Sequence, residues 1–373
     1  MANDIMDFIK DKHIDSILFL TLKKGAILTT GELKHVLEES VEVPLLIEDF
    51  MKDIQQIDKA DVLKVGHLLK GMVFLIGLDS GFKYNQIYQK ILSALTTNIE
   101  AYIIQLINNQ SEFVEIEVVF SKALVAQNRS ARNLFIFADS LERLSVDYAS
   151  KNMGEKSRLL FQKAIDLYHE SISMDNQFSL PYYKLGFYYK NIGRYITSKD
   201  FWETFLSLDQ DEMRKQEIRE EMEKLEKLVD YEIGSNAILK GRSREGLDKL
   251  LPLVNLNPNW WNLLFLIGLG FRQIEEFQIA ADYFRNVIKL KPDQSGAMNE
   301  LALCYMSLSR FEDAITYLDA ALALDQNSEI LSNRAVAHHY LGNKEKALKD
   351  IELALKINPD DEVANMIKEV VGI

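Results

Sequence analysis

The chain has 373 residues, 47% of them hydrophobic and only 6 of them proline, so it can bury a substantial core, and its length favours two or more domains. A formal charge of −13 argues against a nucleic-acid binder that works by neutralising phosphates. The single cysteine, Cys304, excludes an internal disulfide framework and a cysteine-based zinc cage, and it suits a reducing cytoplasm.

Residues 1–110 read as a helical N-terminal domain. The opening stretch, MANDIMDFIKDKHIDSILFLTLKK, carries acids before a short apolar run and lacks the basic start of a secretory signal. Residues 14–57 have the helix–turn–helix cadence of a small winged-helix-like bundle. In that reading GAILTTGE at 25–32 is a turn and a helix cap, with Thr30 ahead of ELKHVLEE. PLLIEDFMKD would be the reading helix, yet it offers Glu48, Asp49 and Asp53 where Arg, Asn or Gln should meet bases. A three-helix bundle that does not bind DNA is the favoured expectation. GMVFLIGL at 71–78 is far short of the roughly 20 residues that span a bilayer. A soluble, cytoplasmic protein is expected.

Residues 111–178 read as divergent repeat-like hairpins. Helical patterns at 112–127 and 131–151 suggest one hairpin, and 162–177 sets Ala164, Tyr168 and Ser171 on one face.

From residue 179 a period emerges. Gly186, Gly234, Gly268, Ala302 and Ala335 recur at intervals of 48, 34, 34 and 33, while Ala280, Ala314 and Ala347 recur at 34 and 33. Small residues let two helices approach, bulky ones (Phe284, Leu318, Ile351) fill the gap, and proline ends the second helix, as at Pro258, Pro292 and Pro359. One such hairpin leaves an apolar face in water, so neighbours must stack. The 48-residue interval holds a surplus of fourteen, MRKQEIREEMEKLE, close to four helical turns, so one long helix there stays in phase.

These residues resemble the tetratricopeptide repeat family. The pattern runs as Tyr182, Leu185, Gly186, Tyr189 and Trp202, then as Leu264, Ile267, Gly268, Phe271, Ala280, Phe284 and Pro292. It recurs as Met298, Leu301, Ala302, Tyr305, Ala314, Leu318 and Ala321, and as Leu331, Ala335, Ala347, Ile351, Ala354 and Pro359. The resemblance implies an all-α protein, a right-handed α-solenoid of helix–turn–helix repeats behind a helical N-terminal domain. Its repeats would be 179–212, 227–260, 261–294, 295–327 and 328–361, with a helical insertion at 213–226 and a C-terminal capping helix at 362–373.

Catalytic chemistry finds no support. His338 and His339 are adjacent on a helix, about 100° apart, and cannot chelate one ion; in the repeat register His338 takes a buried position. No phosphate-binding loop, nucleophile elbow or metal cluster is spelled out, so no enzyme activity and no cofactor are expected. Asn333 and Arg334 resemble part of the carboxylate clamp of chaperone-binding repeats, but Leu303, Val363 and Ile367 stand where basic or polar partners belong. The clamp reading fails.

In the family the first helix of each hairpin lines a concave trough. Here the resemblance assigns to it Tyr183, Phe187 and Lys190; Tyr231 and Ile238; Phe265, Leu269 and Arg272; Leu303 and Met306; and Val336 and His339. Such a wall suits an apolar or amphipathic protein segment, with the chain's own helices as competing occupants. A non-catalytic scaffold or adaptor is the expectation. The alternative, which some bacterial regulators exemplify, is a transcriptional regulator with a helix-turn-helix-like head and a peptide-sensing repeat domain.

Overall fold

The computed structural model describes residues 5–54, 64–109 and 114–371. Helix α1 (Ile5–His13) and a 3₁₀ turn at Ile14–Ser16 lead into strands β1 (Ile17–Leu22), β2 (Ile27–Thr30), β3 (Leu33–Val36) and β4 (Val41–Leu46). β1 pairs antiparallel with β4, Leu20 opposite Val43, and β2 pairs with β3, Thr29 opposite Lys34. This corrects the helical reading of 14–57. Thr30 does not cap a helix but borders a two-residue hairpin turn, where Gly31 at φ +58° takes the left-handed conformation that matches strand twist. The would-be reading helix begins as strand, and only Ile47–Ile54 (α2) is helical. Six-residue apolar runs such as ILFLTL fit a strand or a buried helical turn equally well; period alone cannot separate them. Asp49 does not face outward: it is 4% exposed, and its carboxylate lies 2.9 Å from the Lys70 ammonium. Residues 55–57 of that reading and the side chain of Asp53 lie outside the described residues.

The chain then runs through α3 (Val65–Leu78), α4 (Asn85–Leu95), α5 (Ile99–Asn108), α6 (Val114–Gln127), α7 (Ala131–Ser150) and α8 (Gly154–Met174). Helix α3 packs on β4 and on α6 and is buried along its last ten residues except Lys70. Glycine makes both contacts possible. A Cβ on Gly71 would strike the Pro44 carbonyl, and one on Gly77 the Val119 carbonyl. Ala164, Tyr168 and Ser171 share the buried face of α8, and the Ser171 hydroxyl donates to Ala131 O at 2.7 Å.

Eleven further helices follow: α9 (Leu180–Asn191), α10 (Tyr195–Leu208), α11 (Glu212–Leu239), α12 (Ser243–Val254), α13 (Trp261–Gln273), α14 (Phe277–Leu290), α15 (Ser295–Ser307), α16 (Phe311–Leu324), α17 (Ser328–Tyr340), α18 (Lys344–Ile357) and α19 (Glu362–Val371). The surplus at 213–226 is absorbed in α11, one uninterrupted helix of 28 residues. The chain divides into two compact units, residues 1–188 with 200–218, and 189–199 with 219–373.

In the second unit α13–α18 form three helical hairpins, each packed on the next, and α19 lies on α17 and α18. Ala280, Ala314 and Ala347 are fully buried where paired helices touch, and Phe284, Leu318 and Ile351 fill the gaps beside them. Gly268 lies so close to the Phe284 ring that a Cβ would press on it. The fold is an all-α solenoid of repeats, with four short strands near its N-terminal end as the local exception. Residues 372–373 of the expected capping helix lie outside the described residues.

Candidate functional site

The expected trough residues fall into three groups. The first is already occupied by the chain itself. Tyr183 and Phe187 on α9 join Trp202 and Phe205 of α10 in one aromatic cluster: the Phe187 and Trp202 centroids are 4.9 Å apart, those of Tyr183 and Phe205 5.4 Å. The Tyr183 hydroxyl donates to Glu217 of α11 at 3.0 Å, and burial with that acid pushes its pKa up to about 12. Lys190 pairs with Glu221, the next inward acid on α11, and holds that carboxyl below its usual range. The long helix thus supplies polar partners to the inner face of α9.

The second group is Tyr231 and Ile238 on α11. Tyr231 is half-buried and stacks on Trp260, centroids 4.3 Å apart. Ile238 is a correction: it is fully buried among Leu247, Leu250, Leu263 and Ile267 and lines no open face. The cause is local. Gly246 and Gly270 leave room that the Ile238 side chain fills, so it turns into the hairpin core.

The third group remains half-buried, with solvent on one side. Phe265, Leu269 and Arg272 lie on α13, Leu303 and Met306 on α15, and Val336 and His339 on α17. These three first helices are neighbours in the stack, so Leu269, Leu303 and Val336 recur along it at intervals of 34 and 33 residues. Four of them are anchored from behind: Phe265, Leu269 and Met306 rest on the core around Phe284 and Leu301, and Val336 on the core around Ile351. Phe265 also meets the Phe284 ring edge-on at 5.6 Å.

Between these apolar positions runs a polar chain that sequence reading missed. Arg272 Nε lies 2.6 Å from Glu300, Asn299 donates to Glu329 at 2.9 Å, and Asn333 donates to Asn299 at 2.9 Å. Burial raises the Glu300 pKa, and the Arg272 charge opposes it. Each contact joins one repeat to the next. The signal was available: Asn299 and Asn333 are 34 residues apart, an asparagine repeated in register. The clamp-like residues are likewise spent internally, since Arg334 donates to Asp350 and Asp319, both at 2.6 Å.

His338 is buried and His339 half-buried, as the register required. Cys304 is fully buried, and burial pushes its thiol up to about 12, so it carries no thiolate for nucleophilic chemistry near neutral pH. A cleft of about 530 Å³ lies elsewhere in this unit, between Val254, Pro258, Ile279, Tyr283 and Leu290, and none of the expected trough residues borders it. Among the described residues no helix is long and apolar enough to cross a membrane.

Comparison with known proteins agrees with this geometry. The tetratricopeptide repeat family matches residues 265–329 and again 328–361. Tetratricopeptide repeat protein 6 of Homo sapiens is 25% identical over 122 residues, which are 33% of this chain and 24% of that one. The transcription factor tau subunit sfc4 of Schizosaccharomyces pombe is 26% identical over 208 residues, 50% of this chain and 20% of that one. The chain thus spans about a quarter or less of these curated relatives. Among solved structures, YrrB, described as a repeat protein with an unusual peptide-binding site, is 18% identical with a TM-score of 0.39, covering 54% of this chain and 97% of its own. With small-residue contacts, aromatic slots and helix-ending prolines in register, residues 265–361 of this chain are tetratricopeptide repeats.

Proposed function

We propose that this protein is a non-catalytic interaction scaffold whose inner wall on α13, α15 and α17 docks an apolar or amphipathic peptide segment. Tetratricopeptide repeats indicate protein–protein interaction; the finer reading rests on one observation. Leu269, Leu303 and Val336, flanked by Phe265 and Met306, are all half-buried, and Leu269, Val336, Phe265 and Met306 rest on the core behind them. Anchored, partly exposed apolar side chains at regular spacing suit a segment that buries alternate apolar residues against them. The polar chain through Arg272, Glu300, Asn299 and Glu329 would orient its backbone. A cytoplasmic location belongs to this reading, and cell fractionation tests it.

A transcriptional regulator would need a reading helix in residues 14–57. Strands run through that stretch, and its short helix α2 turns Asp49 inward onto Lys70, so the scaffold reading stands ahead of it.

The test is selection of binding peptides from a random displayed library against the full chain. Recovered peptides should be apolar or amphipathic, and Leu303→Ala or Met306→Ala should weaken them about fivefold or more each, with little change in melting temperature. Peptides that bind equally well to both variants would sink this assignment.

A further inference from the structure

Among the described residues, the outer edge of β1 is left unpaired in its two-stranded sheet with β4. Three observations fix which backbone groups of β1 face β4. Pro44, opposite Phe19, has no N–H to give. The Tyr88 hydroxyl donates to Glu42 O at 2.5 Å, so that carbonyl points away from β1. Lys24 N–H, two residues beyond the end of β1, reaches Ser40 on the β4 side at 3.1 Å. Backbone groups alternate along an antiparallel pair. Leu18, Leu20 and Leu22 therefore bond to β4, and Ile17, Phe19 and Thr21 turn their groups outward.

On that outward edge the Ile17 N–H closes the 3₁₀ turn onto Ile14 O. The Ile17 carbonyl and both backbone groups of Phe19 and Thr21 have no hydrogen-bond partner among the described residues. Phe19 is 42% exposed, with its ring stacked on Phe82 at 5.6 Å, and Thr21 is exposed. Native edge strands are blunted by lysine, proline, a bulge or an inward charge. The strand ILFLTL has none of these.

We propose that β1 pairs antiparallel with β1 of a second copy of this chain, about a two-fold axis at Phe19. The charges at the strand ends select this occupant. With Phe19 opposite Phe19, Thr21 falls opposite Ile17, and the exposed Asp15, in the turn just before β1, comes to the end where the exposed Lys23 of the second copy leaves its strand. A parallel pairing would set like charges together. The register supplies Phe19 N–H to Phe19 O and Thr21 N–H to Ile17 O, each twice by symmetry. It also brings two Phe19 rings together beside two Phe82 rings. A single strand edge is a small interface, so association falls in the weak class, with a Kd of about 1–100 µM.

Sedimentation equilibrium of the full chain tests this. The wild type should shift from monomer to dimer over that concentration range. Thr21→Pro removes an outward N–H that the β1–β4 ladder does not use, and should raise Kd at least about tenfold with unchanged far-UV circular dichroism. Asp15→Lys and Lys23→Asp should each raise Kd about threefold to tenfold, and the double exchange should restore it. The restoration is independent of whether Thr21→Pro folds, because both positions lie outside the ladder. A wild type that stays monomeric, including one that instead captures an unrelated extended peptide, overturns the proposal. So does a dimer indifferent to Thr21→Pro, or one that the double exchange does not restore.

Discussion

Helix α3 and the repeat hairpins both need helices at close range, and they reach it differently. In the repeats a small residue meets a side chain: Gly268 faces the Phe284 ring, and Gly186 the Trp202 ring. In the N-terminal part a glycine meets backbone, since Gly71 and Gly77 of α3 abut the Pro44 and Val119 carbonyls. A ring can rotate or shift by a few tenths of an ångström, whereas a carbonyl in a strand or helix moves only with its whole element. The repeats therefore tolerate drift in their spacers while keeping a readable period, and the N-terminal part has contacts that are singular and rigid.

The largest expected effect follows directly. Gly71→Ala should cost about 3 kcal/mol or more, because relief requires moving β4. Gly268→Ala should cost about 1–2 kcal/mol, because the Phe284 ring can give way. Hydrogen exchange of the α3 and α13 amides in the two variants measures each loss locally. Equal losses would break the distinction between ring-backed and backbone-backed contacts.

The same difference explains what could be read from the chain. The repeat region was legible because its packing problem recurs: Ala280, Ala314 and Ala347 answer it at one spacing, and all three are fully buried. Residues 17–46 offered no second copy to compare, and ILFLTL lacks the polar alternation that marks a strand. The pairing of β1 with β4 joins segments about two dozen residues apart, which no local pattern encodes. At the candidate site, positions were legible from the register but their contents were not. Ile238 turned inward because of Gly246 and Gly270, which lie on other helices, and the α11 acids that hold Tyr183 and Lys190 came from a segment with no place in the repeat.

Charge gives a second way to sharpen the comparison, of similar or smaller size. In the N-terminal part burial pushes Glu115 up, but hydrogen bonds from His13, Lys12 and Tyr148 outweigh it and hold the carboxyl at about 2. A depressed carboxylate contributes stability above its unfolded value near 4.5 and loses it as pH falls from there towards 2. The contribution is at most about 3 kcal/mol, since each pKa unit is worth about 1.4. Glu115→Gln should remove most of it near neutral pH and flatten the acid limb between pH 4.5 and 2. Protection of the α1 and α6 amides, followed against pH, is the measurement; an unchanged acid limb in the variant would show the cluster to be energetically idle.

The smallest expected effect is the mirror case inside the repeats. His338 fills the slot that the repeat pattern gives to tyrosine, is 7% exposed, and has no partner for its Nδ1 among the described residues. Burial lowers its pKa; Asp350 and Asp319 favour the proton, and Arg334 and Lys346 oppose it. A histidine held neutral by burial takes up its proton more readily in the unfolded chain, whose value is near 6.5. Stability of the repeats should therefore decline as pH falls below 6.5, and be fully present above it. This window lies well above that of Glu115, so the two regions should lose stability in sequence on acidification, the repeats first and by less. His338→Tyr restores the apolar ring of the slot and cannot take a proton there, so exchange protection in α17 and α18 should become flat between pH 7 and 5. A variant with the same slope as the wild type would show that His338 does not set this decline; the Glu300 carboxyl, displaced upward by burial, works in the opposite sense and adds stability as pH falls.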